Sequence, residues 1–575
     1  MAKAPAKVVN KAVAFATNEV AFLAWTYEKK IPGCLGFSIR REDLDANSEA
    51  TLPAWVGFEG GNNKDWTAKT TDEWPVQKFN WRDFTARPGG RYRYHVVPRL
   101  GAPGTLKDGP KTLELVSNPV SLTPKVGKSS AYFNQGILST QSVAHMLPQS
   151  PSGVPSSGAL MQHITTPGDA LRLRLAGQQI EALRSLVDRA VAEGGECFCA
   201  LYELSDPELL GVLKKGAHRI HLILSNTGPD DAENKPNRQP LRDAGVDLRD
   251  RMMPDQHIGH NKFVVYVNPQ KKPAAVLTGS TNWTATGLCA QSNNALIVED
   301  ADVATAYLDY WHRLEADTHG TVAEQSLPFR AKNNHAVALA SIGAAGWFSP
   351  NTQTTSKPKN PAAPGDMAEV FRVITGANDA VAFLVFQPGQ PSIIDAVVKA
   401  QQAKPELLVR GAATDPKAVE QYDTLLFHRT PGKTDVVKQS NVVGATAIGD
   451  EFAYWHKELL KSSPSAHAII HDKIVVVDPL DAKRCAVITG SHNLGYRASY
   501  NNDENLLIIR GDQALAKAYA THVMDVYDHY RWRFWVQTQG KNAWKGLKKT
   551  DAWQATYFGA KGFAGREVRY WTGQG

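Results

Sequence analysis

From about Ala12 to Thr123, apolar and polar positions alternate in short runs, EVAFLAW, CLGFSIRR, KFNWRDF and RYRYHVVPRL, separated by Gly, Pro, Asn and Asp clusters. A period of two with turn residues at such intervals predicts strands and an all-β module over residues 1–124. A Pro88-Gly89-Gly90 corner feeds the strand that carries Tyr92 and Tyr94, and Trp25 is the candidate core tryptophan. Beyond residue 124 the pattern changes. Pro/Ser/Gly-rich stretches at 148–158 and 349–366 break regular structure, and between and after them the chain is written twice. The first copy has a helical pattern (QQIEALRSLVDRAVAEGG), a strand (ECFCALYEL), a short helix (DPELLGVLKKG) and a strand (RIHLILS). The second has AVAFLVFQP, PSIIDAVVKAQQ and ELLVRGAAT as strand, helix and strand. Each copy ends alike, with HNKFVV, LTGSTNWT, NNALIVED and a helix in the first, and HDKIVVVD, ITGSHNLG, ENLLIIR and a helix in the second. Strands alternating with helices at this spacing predict two α/β sandwiches, over residues 125–325 and 326–575.

Length and composition fit this organisation. A chain of 575 residues with 42% hydrophobic and 21% charged residues is a multidomain globular protein, not a disordered or fibrous one. No run of about 18 apolar residues predicts a spanning helix. Asn18 and Glu19 interrupt the N-terminal apolar stretch where a secretory signal would continue, so the expected location is cytoplasmic, or outside the cell by a signal-independent route. Five scattered cysteines, Cys34, Cys197, Cys199, Cys289 and Cys485, have no CxxC spacing and read as reduced core residues. The net charge is +7, and residues 526–575 hold nine Lys/Arg against three acids, interleaved with Trp532, Trp535, Trp544, Trp553 and Trp571. Tryptophan beside lysine and arginine suits an anionic membrane interface or stacked bases, and equally a tail packed on its own protein with its charges in water.

The repeated endings carry the chemistry. His471 and Lys473 lie two apart in a strand-like run, so both side chains share a face. Asp478 closes that run, Gly490, Ser491 and Asn493 follow at a turn, and Glu504 opens the next strand. The first copy offers His260, Lys262, Gly279, Ser280 and Asn282, then Asn293 and Asn294. Two imidazoles, two ammonium groups and two amides would form one site where the copies meet, and its natural occupant is a phosphodiester. The lysines supply charge for the non-bridging oxygens, while Asn282, Asn493, Ser280 and Ser491 add neutral donors. One histidine can attack phosphorus to give a phosphohistidine, and the other can protonate the leaving oxygen and then activate water. This chemistry needs neither a metal nor a cofactor.

The pair of motifs resembles the phospholipase D superfamily, whose signature is HxKxxxxD followed by GSxN. The second copy matches throughout, and the first has Val267 and then Asn268 where the signature has aspartate. The corner before Tyr92 resembles the E–F corner of a fibronectin type III sandwich. The resemblances imply an α/β fold, with two phospholipase D-like halves forming a pseudo-twofold bilobal catalytic domain behind an immunoglobulin/fibronectin III-like sandwich. They also imply a phosphodiesterase acting as a monomer. The favoured substrate is a glycerophospholipid at a membrane surface, giving phosphatidic acid and a free headgroup. A nuclease using the same two histidines and a degenerate, binding-only protein are the alternatives. Precedent in the superfamily makes His260 the nucleophile and His471 the general acid/base. Against this, Glu504 is expected beside His471, leaving His260 only Asn293 to orient it, and that local chemistry favours His471. The reading favours His260. His257, His456 and Trp455 have no spacing that ties them to the motifs and are expected to be ordinary.

Overall fold

A computed structural model of the chain describes residues 8–63, 65–149, 153, 156–228, 231–414, 442–447, 469–540, 544–558 and 563–574. His456 and Trp455 lie outside these residues. The N-terminal module is built of antiparallel sheets. Lys11–Ala16, Ala21–Thr26 and Asn80–Asp83 make one. Cys34–Asp43 and Arg91–Leu100 form the centre of the second, with Ser48–Thr51 and Leu115–Val116 outside them. Trp25, fully buried, meets Phe37 edge-on at 5.3 Å between ring centroids and packs against Phe79. Tyr92 closes the Pro-Gly corner: its hydroxyl accepts from the Arg87 N–H (3.1 Å) and donates to the Arg87 carbonyl (3.3 Å).

The two later copies share one topology. In the first, the strand order is Lys125–Val126, Ser129–Phe133, Asn294–Val298, Pro273–Gly279, Lys262–Val267, Glu196–Leu201, Ile220–Thr227 and Asp247–Met253, continued by two short strands. The second runs Val337–Leu339, Ala344–Ser349, Glu504–Arg510, Ala486–Gly490, Ile474–Val477, Ala380–Val385, Leu408–Ala413 and Val442–Gly444. Parallel and antiparallel pairings fall at the same steps in both. The central strands KFVVYV and IVVV are buried throughout, as strands covered on both faces require. Helices on the faces begin at ordinary caps, such as Ser392 and Asp395, which form a capping box for Ile393–Ala403.

The copies are stitched together. Gln291–Ser292 pairs in parallel with Ile469–Ile470, and the fully buried Arg251 bridges Asp317 (3.0 Å) and Asp503 (2.7 Å). The strands of the two motifs begin at Lys262 and Ile474, slightly later than the alternation predicts, so His260, His471 and Lys473 stand on extended chain just before them.

The basic aromatic tail folds back onto the N-terminal module. Helix Gln513–Gln539 is followed by segments in which Trp553 donates to the Cys34 carbonyl (2.9 Å) and Trp571 packs on Phe15 and Phe22. Trp571 and Tyr570 are buried, whereas Lys545, Lys548 and Lys549 are exposed. Of the expectations for the tail, packing with solvated charge is the one met at these residues; Lys541 and Lys561 lie outside the described residues. All five cysteines are buried and free. Among the described residues, no helix is long and apolar enough to cross a membrane.

Candidate active site

The main-chain pairing at the seam sets the site. His471 donates its N–H to the Ser292 carbonyl (3.0 Å), and the rings of His260 and His471 lie 6.0 Å apart at 70°. Both histidines are more than nine-tenths buried, as are Lys262, Lys473, Ser280, Asn282, Ser491 and Glu504. The motif glycines are needed for close approach. Gly279 and Gly490 have φ of 145° and 142°, and a Cβ on either would collide with the carbonyl of Asn294 or Asn505.

The carboxylate and amide partners are crossed relative to the sequence expectation. Glu504 sits on His260, not on His471: His260 Nδ1 lies 3.0 Å from Glu504 Oε2 and 3.1 Å from the Ser491 carbonyl. Asn293 sits on His471, with Nδ1 to Oδ1 at 2.9 Å. Glu504 opens strand Glu504–Arg510 and Asn293 stands just before strand Asn294–Val298, and each reaches across the seam to the imidazole of the other copy. The facing atoms are acceptors, because Asn293 spends its Nδ2 on the Gly287 carbonyl (2.9 Å). Each imidazole therefore carries its proton on Nδ1 and leaves Nε2 bare. Ser280 and Ser491 stand behind these partners. Ser280 Oγ donates to Asn293 Oδ1 (2.8 Å), and the Ser491 hydroxyl bonds Glu504. These hydroxyls hold the groups that meet the histidines, so Ser280, Ser491 and Asn293 are placed to position the two imidazoles.

Asp478 is engaged by main chain. It accepts from the backbone N–H groups of Asn378 (2.9 Å), Asp379 (2.7 Å) and Ala380 (2.9 Å), at the far end of its strand. Five residues beyond Lys473, at about 3.3 Å per residue, put it roughly 16 Å from that lysine. In the first copy Asn268, the residue after Val267, accepts from Gln270 and Lys272 to make a turn. The missing aspartate is a missing strand-end clamp.

The lysines fold back, Lys262 Nζ on the His260 carbonyl (2.7 Å) and Lys473 Nζ on the His471 carbonyl (2.5 Å). An aromatic ring backs each pair: Tyr202 lies 5.2 Å from the His260 ring and Phe386 5.0 Å from that of His471. Sequence reasoning passed over these rings. It also passed over Glu203, whose carboxylate accepts from Asn282 Nδ2. Asn493 is half-buried, and its Oδ1 has no partner among the described residues. His257 bonds Gln325 and takes no part.

Burial dominates the electrostatics. It holds both imidazoles well below their ordinary value, reinforced by Lys262 and Lys473. It pushes Lys262 down to about 7, against the pull of Glu504 and Glu203, and lowers Lys473 in the same way. It lifts Glu504 to about 7 and raises Glu203. A buried site holding two reluctant ammonium groups and two bare imidazole nitrogens gains most from an entering anion, which restores the cationic forms.

Residues 370–525 match the profile of the family described as "Cardiolipin synthase, PLD-like domain". Over this segment the chain is similar to a phospholipase D-like domain. The chain is also 34% identical over 121 residues to the mitochondrial cardiolipin hydrolase of Xenopus laevis, covering 20% of this chain and 51% of that protein, so it spans about half the length of that curated relative. Among solved structures it is similar to phosphatidylserine synthase of Haemophilus influenzae (11% identity, 62% of this chain and 85% of that one, TM-score 0.40). It is similar also to Nuc of Salmonella typhimurium, a phospholipase D family member (16%, 32% and 92%, TM-score 0.20). A third is the yeast tyrosyl-DNA phosphodiesterase (9%, 58% and 88%, TM-score 0.33). The matched segment holds His471, Lys473, Asp478, Asn493 and Glu504, while His260, Lys262 and Asn282 come from the copy before it.

Proposed function

We propose that the chain is a phosphodiesterase that cleaves a phospholipid through a covalent phosphohistidine, with His260 as nucleophile and His471 as general acid/base. The crossed pairing of Glu504 and Asn293 carries this reading. Glu504 holds the Nδ1 proton of His260 and stabilises the positive charge that forms when Nε2 attacks phosphorus. Asn293 orients His471 without adding negative charge, which keeps that imidazolium the stronger acid. In the first step the His260 Nε2–P bond forms and the bond from P to the leaving oxygen breaks, while His471 gives that oxygen its Nε2 proton. In the second, His471 takes a proton from water as the water oxygen attacks phosphorus, and the N–P bond breaks. Lys262, Lys473, Asn282 and Asn493 face the non-bridging oxygens, and the steps need only side chains of this chain.

The phospholipid assignment is supported by the name of the Xenopus relative and by that of the matching family. One chain supplies both motifs, which supports a monomeric unit with domains at 1–124, 125–325 and 326–575, the first of fibronectin III kind on the strength of the Tyr92 tie. The test is a competition in one tube between phospholipid vesicles and single- and double-stranded DNA. Phosphatidic acid as product, lost in His260→Ala and in His471→Ala, is the expected result. Cut DNA with intact lipid would replace the substrate, and activity surviving both substitutions would remove the site.

A further inference from the structure

Glu203 is out of character with a phosphate pocket. It stands two residues beyond Leu201, at the end of strand Glu196–Leu201, and Gln387 holds the same place beyond Ala380–Val385 in the other copy. The registers agree, Ala200 lying opposite Phe263 and Leu384 opposite Ile474. The first copy therefore carries a half-buried carboxylate where the second has an exposed amide. The backbone around Glu203 is pinned: its carbonyl accepts from the Trp283 N–H (3.0 Å), and the next N–H, of Leu204, goes to Asn234 Oδ1 (2.9 Å). Its carboxylate takes one hydrogen of the Asn282 amide, and Asn282 Oδ1 is a buried acceptor with no partner among the described residues. The charged groups facing it are Lys262, Lys473 and the exposed Glu233. Acceptors and negative charge are thus gathered beside an anion site.

A diester bound at Asn282 brings its own negative charge against this carboxylate. Lys262 and Lys473 offset part of this charge, and two arrangements relieve what remains: the substrate supplies a cation next to its phosphate, or Glu203 takes a proton. An ammonium two carbons from the ester oxygen, as in an ethanolamine ester, has the reach to meet a carboxylate that shares Asn282 with the phosphate. A polyanion, whose neighbouring groups are further phosphates, has the worst match. We propose that Glu203 sets the substrate class of this site, selecting phospholipids whose headgroup carries an ammonium over diesters with neutral or anionic substituents. The inference rests on the phosphodiesterase reading.

A neutral-headgroup diester requires Glu203 protonated, and burial already favours that form. Raising pH ionises Glu203, so the preference for the ammonium-bearing diester grows with pH. The probes are short-chain phosphatidylethanolamine and phosphatidylglycerol in matched micelles with the full chain, the ratio of their kcat/KM values being followed from pH 5 to pH 8. The ratio is expected to rise by about tenfold in the wild-type chain, and to be lower and flat in Glu203→Gln, since like-charge contacts strongly suppress wrong partners. The wild-type profile alone tests the idea if the variant fails to fold. A ratio independent of pH in the wild type, or a pH-dependent ratio unchanged in Glu203→Gln, overturns the role of Glu203 while leaving the phosphodiesterase reading intact. Turnover of neither lipid overturns the phospholipid reading and this one with it.

Discussion

The carboxylate of Glu504 lies 3.0 Å from the Nδ1 of His260, a residue 244 positions earlier in the chain and in the other repeat. The matching position, Asn293, holds His471 with an amide. Two imidazoles in similar frames are thereby made unequal, one backed by charge and one by a neutral dipole. On the proposed mechanism, this asymmetry divides nucleophile from acid.

Replacing Glu504 by Gln should therefore cost about 10³- to 10⁴-fold in kcat with little change in KM, because the charge that stabilises the imidazolium is removed while the ring keeps a polar neighbour. Asn293→Ala should cost only about 10- to 100-fold, since His471 retains its own proton chemistry. Steady-state kinetics on both variants decides it. Equal losses would show that the two partners do the same work and that roles cannot be read from them.

The pH profile follows from the same burial. Lys262, held down at about 7, is cationic below that pH and loses its charge as pH rises through it. Glu504, lifted to about 7, is ionised above that pH and loses its charge as pH falls through it. Phosphate binding needs the first and nucleophile stabilisation the second, so kcat/KM should form a narrow bell centred near pH 7, its limbs belonging to the pair. A bound diester favours the ammonium form, so the alkaline limb of kcat should move upward. Glu504→Gln should erase the acidic limb, and an acidic limb that survives in that variant would assign it elsewhere.

The strands, the duplication, the Tyr92 corner and both His-x-Lys/GSxN frames were legible because each rests on local spacing: a period of two, a glycine where main chains touch, a turn after a buried strand. The partner of each histidine was not. Glu504 and Asn293 are nearest in sequence to the motif of their own copy, and main-chain bonds across the seam, Ser292 with Ile470 and the Asp503 N–H to the Ile258 carbonyl, turn each toward the other. Tyr202 and Glu203 fall outside the signature and some 60 residues before it. Laying ECFCALYE over AVAFLVFQ by their matched strands is the one signal that would have raised them, by setting Glu203 against Gln387. The backbone N–H groups that Asp478 accepts from lie about 100 positions away, beyond the reach of local spacing.

That reading of Asp478 is open to measurement. Three backbone N–H groups lose their acceptor in Asp478→Ala, which should cost about 2–4 kcal/mol of stability in urea denaturation. The folded variant at low temperature should turn over at nearly the wild-type rate, and Val267→Asp should not raise activity. A large drop in kcat without a change in stability would return Asp478 to the chemistry.

The last prediction concerns the tail and the N-terminal module, which behave in this fold as one structural unit with the catalytic halves. Arg82, on a strand of the module, lies 2.6 Å from both Asp525 and Asp528 on the helix Gln513–Gln539, and its side chain is 9% exposed. Removing the guanidinium leaves the buried Asp525 without its cation, while Asp528 keeps Arg531 (2.9 Å), so Arg82→Ala should destabilise by about 3–5 kcal/mol. Trp571→Ala, which opens a hole against Phe15 and Phe22, should cost a similar amount, about 3–5 kcal/mol. Neither residue faces a membrane in this arrangement, and vesicle binding by the folded variants should equal that of the wild type. A Trp571→Ala protein of undiminished Tm that no longer binds anionic vesicles would show instead that this tryptophan leaves the module to meet lipid.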